Sequence, residues 1–227
     1  MVRLDEVSLG EIGQAGSLRG LSFALAPGSF HVLTGPAGCG KTSVLDVIGM
    51  ARWPEAGRVE LFGRDTAALD QKDRPRLRRR IGRLFAKDRL IDHLSVFDNA
   101  ALVPRLAGRR RRDYGPEVAQ VLAWVGLGGK AGAPPADLNA GERRRLALAR
   151  AVAGAPEIVL ADEPIGGLGD DAGLRVLCLL AEINQAGTAV LMATADEDLA
   201  ASSGAPVLRL REGRLTLVQG FEPAVAP

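Results

Sequence analysis

The chain has 227 residues, an apolar fraction of 47%, and 29 Lys and Arg against 27 Asp and Glu, for a formal net charge of +2. That length suits one α/β domain with a buried core and room for a small inserted subdomain, and so balanced a charge gives no global argument for a nucleic-acid partner. No segment is long and apolar enough to cross a bilayer and no basic-then-apolar leader opens the chain, so a cytosolic protein with only peripheral membrane contact is expected.

Val2 to Val7 alternates apolar and polar residues as a strand does, and Leu18 to Leu25 is a second extended stretch. Pro27 and Gly28 turn the chain into Ser29–Thr34, an apolar run of the kind that forms a buried strand. The Gly-rich loop Gly35 to Gly40 follows, and Lys41 to Met50 is expected as a helix with Val44, Leu45, Val47 and Ile48 facing inward. Arg58–Phe62 is predicted as a short strand, Asp73–Arg80 as a helix and Ile81–Phe85 as another strand. From Asp92 to about Ala136 the texture turns helical. Two patterns, near Ser95–Ala107 and Pro116–Val125, are separated by a polar Gly108–Gly115 linker, and Gly and Pro punctuate Gly126 to Pro135. Gly141–Ala153 is a third helix in this region, ended before Pro156; the apolar strand Ile158–Ala161 follows. Asp170–Gln185 is read as a helix, Thr188–Thr194 as a strand, and Ala205–Val218 as a closing hairpin around Glu212–Gly213. No internal repeat is present. Strands alternating with helices imply a parallel-rich sheet covered on both faces.

The basic residues are nearly all Arg and cluster at Arg76 to Arg83, Arg109 to Arg112 and Arg143 to Arg145. They are read as solvated helix faces; the sharper alternative is contact with an anionic partner, either phospholipid head groups or acidic loops of a membrane protein. Cys39 and Cys178 are too few and too far apart for a disulfide framework or a metal site, and Cys178, in an apolar stretch, is expected to be buried.

Gly35-Pro36-Ala37-Gly38-Cys39-Gly40-Lys41-Thr42 fits the G-x-x-x-x-G-K-S/T phosphate loop, with a strand before it and a helix after. Glycines let the backbone curl so that successive N–H groups point at phosphate, and the helix N-terminus adds partial positive charge. Lys41 is placed to reach outer phosphates, and the Thr42 hydroxyl to ligate Mg²⁺; Ser43 completes the expected nucleotide-contacting set. Ile158-Val159-Leu160-Ala161-Asp162-Glu163 is the companion, an apolar strand ending in two carboxylates. Asp162 is expected to hold Mg²⁺ through a water, and Glu163 to act as general base toward an attacking water.

Between these motifs stands Leu138-Asn139-Ala140-Gly141-Glu142-Arg143-Arg144-Arg145, upstream of Leu146-Ala147-Leu148-Ala149-Arg150-Ala151. Here the chain resembles the ATP-binding-cassette (ABC) ATPases, whose signature reads L-S-G-G-E-Q-x-R, and the likeness covers nearly its whole length. Within them Ile81-Gly82-Arg83-Leu84-Phe85, Leu94-Ser95-Val96-Phe97-Asp98-Asn99, the run Ala151 to Pro164, and Val190-Leu191-Met192-Ala193-Thr194 resemble the FtsE family of bacterial cell-division ATPases. The resemblance implies a RecA-like core around the P-loop, an N-terminal antiparallel β part, and an α-helical subdomain near 92–153, all in one ATP-binding domain. It further implies ATP and Mg²⁺ as cofactors and a head-to-tail ATP-sandwich dimer, in which Asn139, Gly141 and Glu142 meet the nucleotide of the opposite subunit. An integral membrane partner resembling FtsX is implied too, with a place on the inner face of the membrane. Leu90, Ile91 and Leu94 are read either as the surface that receives such a partner or as core.

Several positions depart from the family pattern. Ala86 stands where the family has a Mg²⁺-ligating Gln, Asn139 replaces the signature Ser, and Ala140 the next Gly. Gly169 follows Leu168 where an Asp is usual, with Asp170 one place late; Ala195 replaces the switch His; and Glu11 stands where an adenine-stacking aromatic is usual. Phosphate binding rests mainly on the P-loop, whereas each lost transition-state donor costs about 100–1000-fold in rate. ATP binding with slow or absent hydrolysis is therefore expected. The alternatives are an inactive docking or scaffold protein, the degenerate half of a heterodimer, and a nucleotide-binding subunit of the lipoprotein-release or macrolide type. A DNA-repair ATPase is disfavoured because no heptad run is present.

Overall fold

The computed structural model describes residues 1–10 and 17–218. Glu11 lies outside them. Strand β1 (Val2–Leu9) pairs antiparallel with β2 (Leu18–Leu25), Val2 opposite Leu25 and Leu9 opposite Leu18. The buried positions are Val2, Leu4, Val7 and Leu9, so strict alternation slips by one residue between Leu4 and Val7. The register shift coincides with Glu6, whose φ of +51° marks a bulge that returns Val7 to the inner face.

Strand β3 (Phe30–Thr34) leads through the glycine loop into α1 (Lys41–Ile48), which buries Val44, Leu45, Val47 and Ile48 as expected. The chain then returns to the first sheet as β4 (Ala56–Leu61) and the two-residue β5 (Arg64–Asp65), giving the antiparallel order β2-β1-β4-β5. Helix α2 (Arg74–Arg78) precedes β6 (Ile81–Leu84). Four helices follow: α3 (Val96–Ala100), α4 (Leu102–Leu106), α5 (Arg111–Trp124) and α6 (Ala140–Val152). The rest alternates: β7 (Ile158–Asp162), α7 (Asp170–Gln185), β8 (Ala189–Thr194), α8 (Glu197–Ser202), then the hairpin β9 (Val207–Arg211) and β10 (Arg214–Val218).

The second sheet has the order β10-β9-β3-β8-β7-β6 and is parallel except for β10. Its inner strands are buried on both faces. On β7, Ile158 and Leu160 face the cluster shared with α1 and the antiparallel sheet, while Val159 and Ala161 face the cluster shared with α5, α6 and α7. This two-sided burial explains why these strands read as continuous apolar runs.

Several expectations need correction. The Ser95–Ala107 pattern is two short helices, not one: the chain breaks at Ala101, and Pro104 cannot supply an N–H to close the turn behind it. Helix α5 starts at Arg111, so the linker after α4 is only 107–110 and Pro116 sits inside the helix, where Arg109 and Glu117 bridge the turn at 2.6 and 2.7 Å. Cys178 is exposed, because α7 turns Gly173, Val176, Leu179 and Leu180 inward and leaves position 178 on the outer side. Helix α8 was not anticipated; its signal is Asp196, whose carboxylate accepts from the Leu199 N–H.

The arginines of α6 are not a solvated face. Successive helical positions point about 100° apart, so Arg143, Arg144 and Arg145 each reach a different loop. Arg143 donates to the Pro135 carbonyl at 2.9 Å and Arg145 to the Val125 carbonyl at 2.8 Å. Arg144, 5% exposed, donates to the Phe85 and Ala86 carbonyls at 2.7 and 2.8 Å and lies 3.3 Å from Asp88. Arg150, two turns on, donates to the carbonyls of Asp88 and Arg89, both at 2.6 Å. From β6, Arg83 is likewise sunk against α1, ion-paired to Asp46 at 2.7 Å, and burial lowers its pKa. Leu90, Ile91 and Leu94 are half-buried, and the fully buried Asn99 pins their loop by bonding Ile91, Leu94 and Ser95 backbone.

Arg144→Met strands two carbonyls and the Asp88 carboxylate, and should cost about 3 kcal/mol of unfolding free energy in denaturant titration. Arg112→Met, at a position 73% exposed, should change it by less than about 0.5 kcal/mol.

Candidate nucleotide site

The glycine loop has the shape its sequence requires. Gly35, Gly38 and Gly40 have φ of +154°, +76° and +108°, a region that costs other residues strain. At Gly35 space is also decisive, because a Cβ there would lie 2.2 Å from the Leu210 carbonyl oxygen. The loop delivers Lys41 as the first residue of α1, with its side chain folded back under the loop. Lys41 is 6% exposed; its Nζ donates to the Gly35 carbonyl at 2.8 Å and the Pro36 carbonyl at 3.3 Å, and lies 3.6 Å from Glu163 Oε1.

Strand β7 brings the carboxylates to the same end of the sheet. Asp162, 3% exposed, accepts a 2.8 Å hydrogen bond from the Thr42 hydroxyl across 120 residues of chain. Glu163 leaves the strand with φ of +44°, its N–H donating to the Ala193 carbonyl of β8 at 2.9 Å. A non-glycine residue held in the left-handed region is a feature often found where a side chain must be aimed. Between loop and carboxylates lies a cavity of about 420 Å³, lined by Ala37, Gly38, Gly40, Lys41, Thr42, Ser43, Ala86, Asp162 and Glu163. Pro36 and Cys39 shape the loop, with the Cys39 N–H donating to the Pro36 carbonyl at 3.3 Å. A larger cavity of about 550 Å³ lies between α7 and α8 and has no titratable lining residue.

Asn139, Gly141 and Glu142 are not in this cavity. They form the start of α6, where the Asn139 side chain accepts from the Glu142 N–H at 2.9 Å and the Glu142 carboxylate accepts from the Asn139 N–H at 3.0 Å. This reciprocal pair is a capping box. Lys130 bonds Glu142 at 2.6 Å and, with the Asn139 N–H, holds its carboxyl below the usual range. Asn139 and Ala140 are exposed, and Gly141 packs on α7, where a Cβ would meet the Ala172 methyl at 3.0 Å. Of the departing positions, Ala86 lines the cavity with a methyl group, Gly169 caps α7, and Ala195 is exposed just beyond β8.

The chemistry on offer is a nest of loop N–H groups, one ammonium, one hydroxyl and two carboxylates. Thr42 and Asp162 are two oxygen donors 2.8 Å apart, which fits Mg²⁺, an ion that takes one or two protein groups and fills its octahedron with substrate phosphate and water. No group of three or more His, Cys, Asp or Glu suited to a metal occurs among the described residues. Sequence reasoning named Arg144 only as part of a solvated cluster and missed its role of holding the wall at Ala86 from behind, because its partners are main-chain carbonyls about 60 residues away.

The family model of the ABC transporter matches residues 18–166. The chain belongs to the ABC transporter family. It is 37% identical over 215 residues to the cell division ATP-binding protein FtsE of Escherichia coli, covering 95% of this chain and 97% of that protein. With the Bacillus subtilis protein of the same description it shares 32% over 213 residues, covering 94% and 93%. Among solved structures, the dimeric ATP-binding cassette MJ0796 bound to ADP and Pi superposes with a TM-score of 0.82 at 28% identity, covering 97% of this chain and all of that one. The ABC cassette fold and the likeness to FtsE anticipated from the motifs are thus established.

The backbone at Glu163 gives a test independent of activity. Glu163→Gly and Glu163→Ala both remove the carboxylate, but only glycine relieves the left-handed φ. The glycine variant should be the more stable of the two by about 1 kcal/mol in denaturant unfolding.

Proposed function

We propose that this ABC protein is the ATP-binding subunit of an FtsE-type cell-division complex, in which nucleotide binding closes a head-to-tail dimer and hydrolysis is impaired. The observation that carries this reading is the convergence of Lys41, Thr42, Asp162 and Glu163 on the glycine-loop cavity. In it the loop N–H groups hold the β- and γ-phosphates, and Lys41 leaves the Gly35 and Pro36 carbonyls to pair with them. Thr42, and Asp162 through a water, would hold the nucleotide's Mg²⁺, which would offset phosphate charge. Glu163 accepts a proton from the attacking water. Asn139, exposed, with the half-buried Glu142 and the buried Gly141 behind it at the start of α6, serves the site of an opposite subunit, as the dimeric state of MJ0796 supports. The chain acts as a single ATP-binding unit with 92–153 as its helical arm. It works with a membrane partner like FtsX and sits peripherally on the inner face of the membrane.

Turnover is the weak step. Ala86 and Ala195 have no polar side-chain atom, and Asn139 already spends its carbonyl on the capping box. Removing transition-state donors slows an enzyme far more than it weakens ground-state binding. A docking protein with nucleotide as a structural ligand is the second reading, favoured by the same two alanines.

The test is nucleotide binding and phosphate release on one sample. Wild type should bind ATP and release phosphate slowly; Lys41→Ala should lose binding, and Glu163→Gln should keep it while abolishing residual turnover. Restoring both polar groups, Ala86→Gln with Ala195→His, should raise turnover at least about 10-fold. Brisk wild-type hydrolysis would refute the impaired site, and absence of ATP binding would refute the nucleotide reading itself.

A further inference from the structure

The turn between α4 and α5 forms a basic tip that the nucleotide site does not use. From Arg105 to Asp113 the chain carries five arginines against one aspartate, and every residue of the stretch is exposed. Leu106, at the end of α4, is 79% exposed, more than any other large hydrophobic side chain among the described residues. The turn is well formed: Gly108 has φ of +76°, and the Arg109 N–H donates to the Pro104 carbonyl at 3.2 Å. Leu106 therefore stands at the start of this closed turn, next in the chain to its arginines. Arg105 pairs with Asp98 at 3.4 Å, and Arg109 with Glu117 at 2.6 Å. Arg111 stacks on Phe97 at 4.9 Å, and Arg112 lies 3.6 Å from Asp113 while 73% exposed. Arg110 has no ion-pair partner among the described residues. Charge is left over at the point where an apolar side chain protrudes.

We propose that this tip docks on an anionic phospholipid surface, with Leu106 entering the head-group boundary and Arg110, Arg111 and Arg112 facing lipid phosphates. A protruding apolar residue flanked by cations is what an interfacial contact requires: the side chain leaves water while the guanidiniums stay among anions. Charge complementarity alone would also admit an acidic protein segment. A peptide, however, needs a groove to seat its side chains, and none of the cavities of about 290, 420 and 550 Å³ is lined by residues 105–113. A stretch exposed at every residue from 105 to 113 favours a lipid surface. The inference stands apart from the nucleotide reading and does not need ATP to bind.

The experiment is co-sedimentation of the full chain with phosphatidylcholine vesicles, with and without one third phosphatidylglycerol, at low and physiological salt. Binding is expected to the anionic vesicles only and to weaken with salt. Leu106→Asp and the double variant Arg110→Glu/Arg111→Glu should each bind about 10-fold more weakly, with unfolding midpoints unchanged. Arg76→Glu, in a different basic cluster, should bind as wild type does. Leu106→Trp should gain fluorescence intensity at shorter wavelength, relative to wild type, when anionic vesicles are added. Failure to sediment at low salt, equal binding to neutral vesicles, undiminished binding by the tip variants or an unshifted Leu106→Trp spectrum would each overturn the proposal. So would tip-dependent capture of a polyglutamate peptide without vesicle binding, which would assign the surface to an acidic protein segment.

Discussion

Everything at the nucleotide site depends on the register of three parallel strands. Thr34 of β3 lies opposite Thr194 of β8, and Ala193 of β8 lies opposite Asp162 of β7. The strands end level, so the glycine loop, the carboxylates and the Ala195 corner emerge together from one edge of the sheet. Because both faces of these strands are buried, a slip of one residue would move every side chain from one core cluster into the other, where it does not fit. The Thr42–Asp162 hydrogen bond and the Glu163–Ala193 backbone bond close this edge. The cavity is a consequence of strand register before it is a consequence of any single side chain.

A second constraint ties this edge to the helical arm. Helix α6 uses Arg144 and Arg150 to hold four consecutive or near-consecutive carbonyls, those of Phe85, Ala86, Asp88 and Arg89. The segment that follows β6 is therefore fastened by its backbone, whatever its side chains are. Ala86 can lose a polar group relative to the family pattern without releasing the wall it belongs to. Structure and chemistry are separated at that position: the main chain keeps the shape of the pocket while the side chain no longer contributes a ligand.

The same separation recurs at α6. Asn139 is a poor copy of the signature serine but a good helix cap, and its bond with Glu142 is of the kind that stabilises a helix start by about 1 kcal/mol. Gly169 and Asp170 likewise give α7 an unstrained entry and an acidic first turn suited to the helix dipole. Of the departing positions, Ala86 lines the cavity, while Asn139 and Gly169 cap helices. The groups that build the loop and the sheet are retained.

Much of this was legible in the sequence because the signals are local. Glycines at 35, 38 and 40 must curl, an apolar run must be buried, and Asp170–Gln185 shows a helical period from end to end. The family motifs added the order of the parts. Where the sequence misled, the cause was packing between distant segments. The arginines of α6 looked like a solvated face because charge is usually exposed, and only the loops around them supply the carbonyls that take them inside. Cys178 looked buried because its neighbours are apolar, yet the rotation of α7 against the sheet leaves it outside. Local backbone chemistry, then, determined the glycine loop, the helices and the strands. Tertiary structure alone decided which ends of those strands meet, which arginines are buried and which apolar side chain protrudes, since hydrogen bonds and contacts between residues about a hundred positions apart leave no periodic trace in the chain.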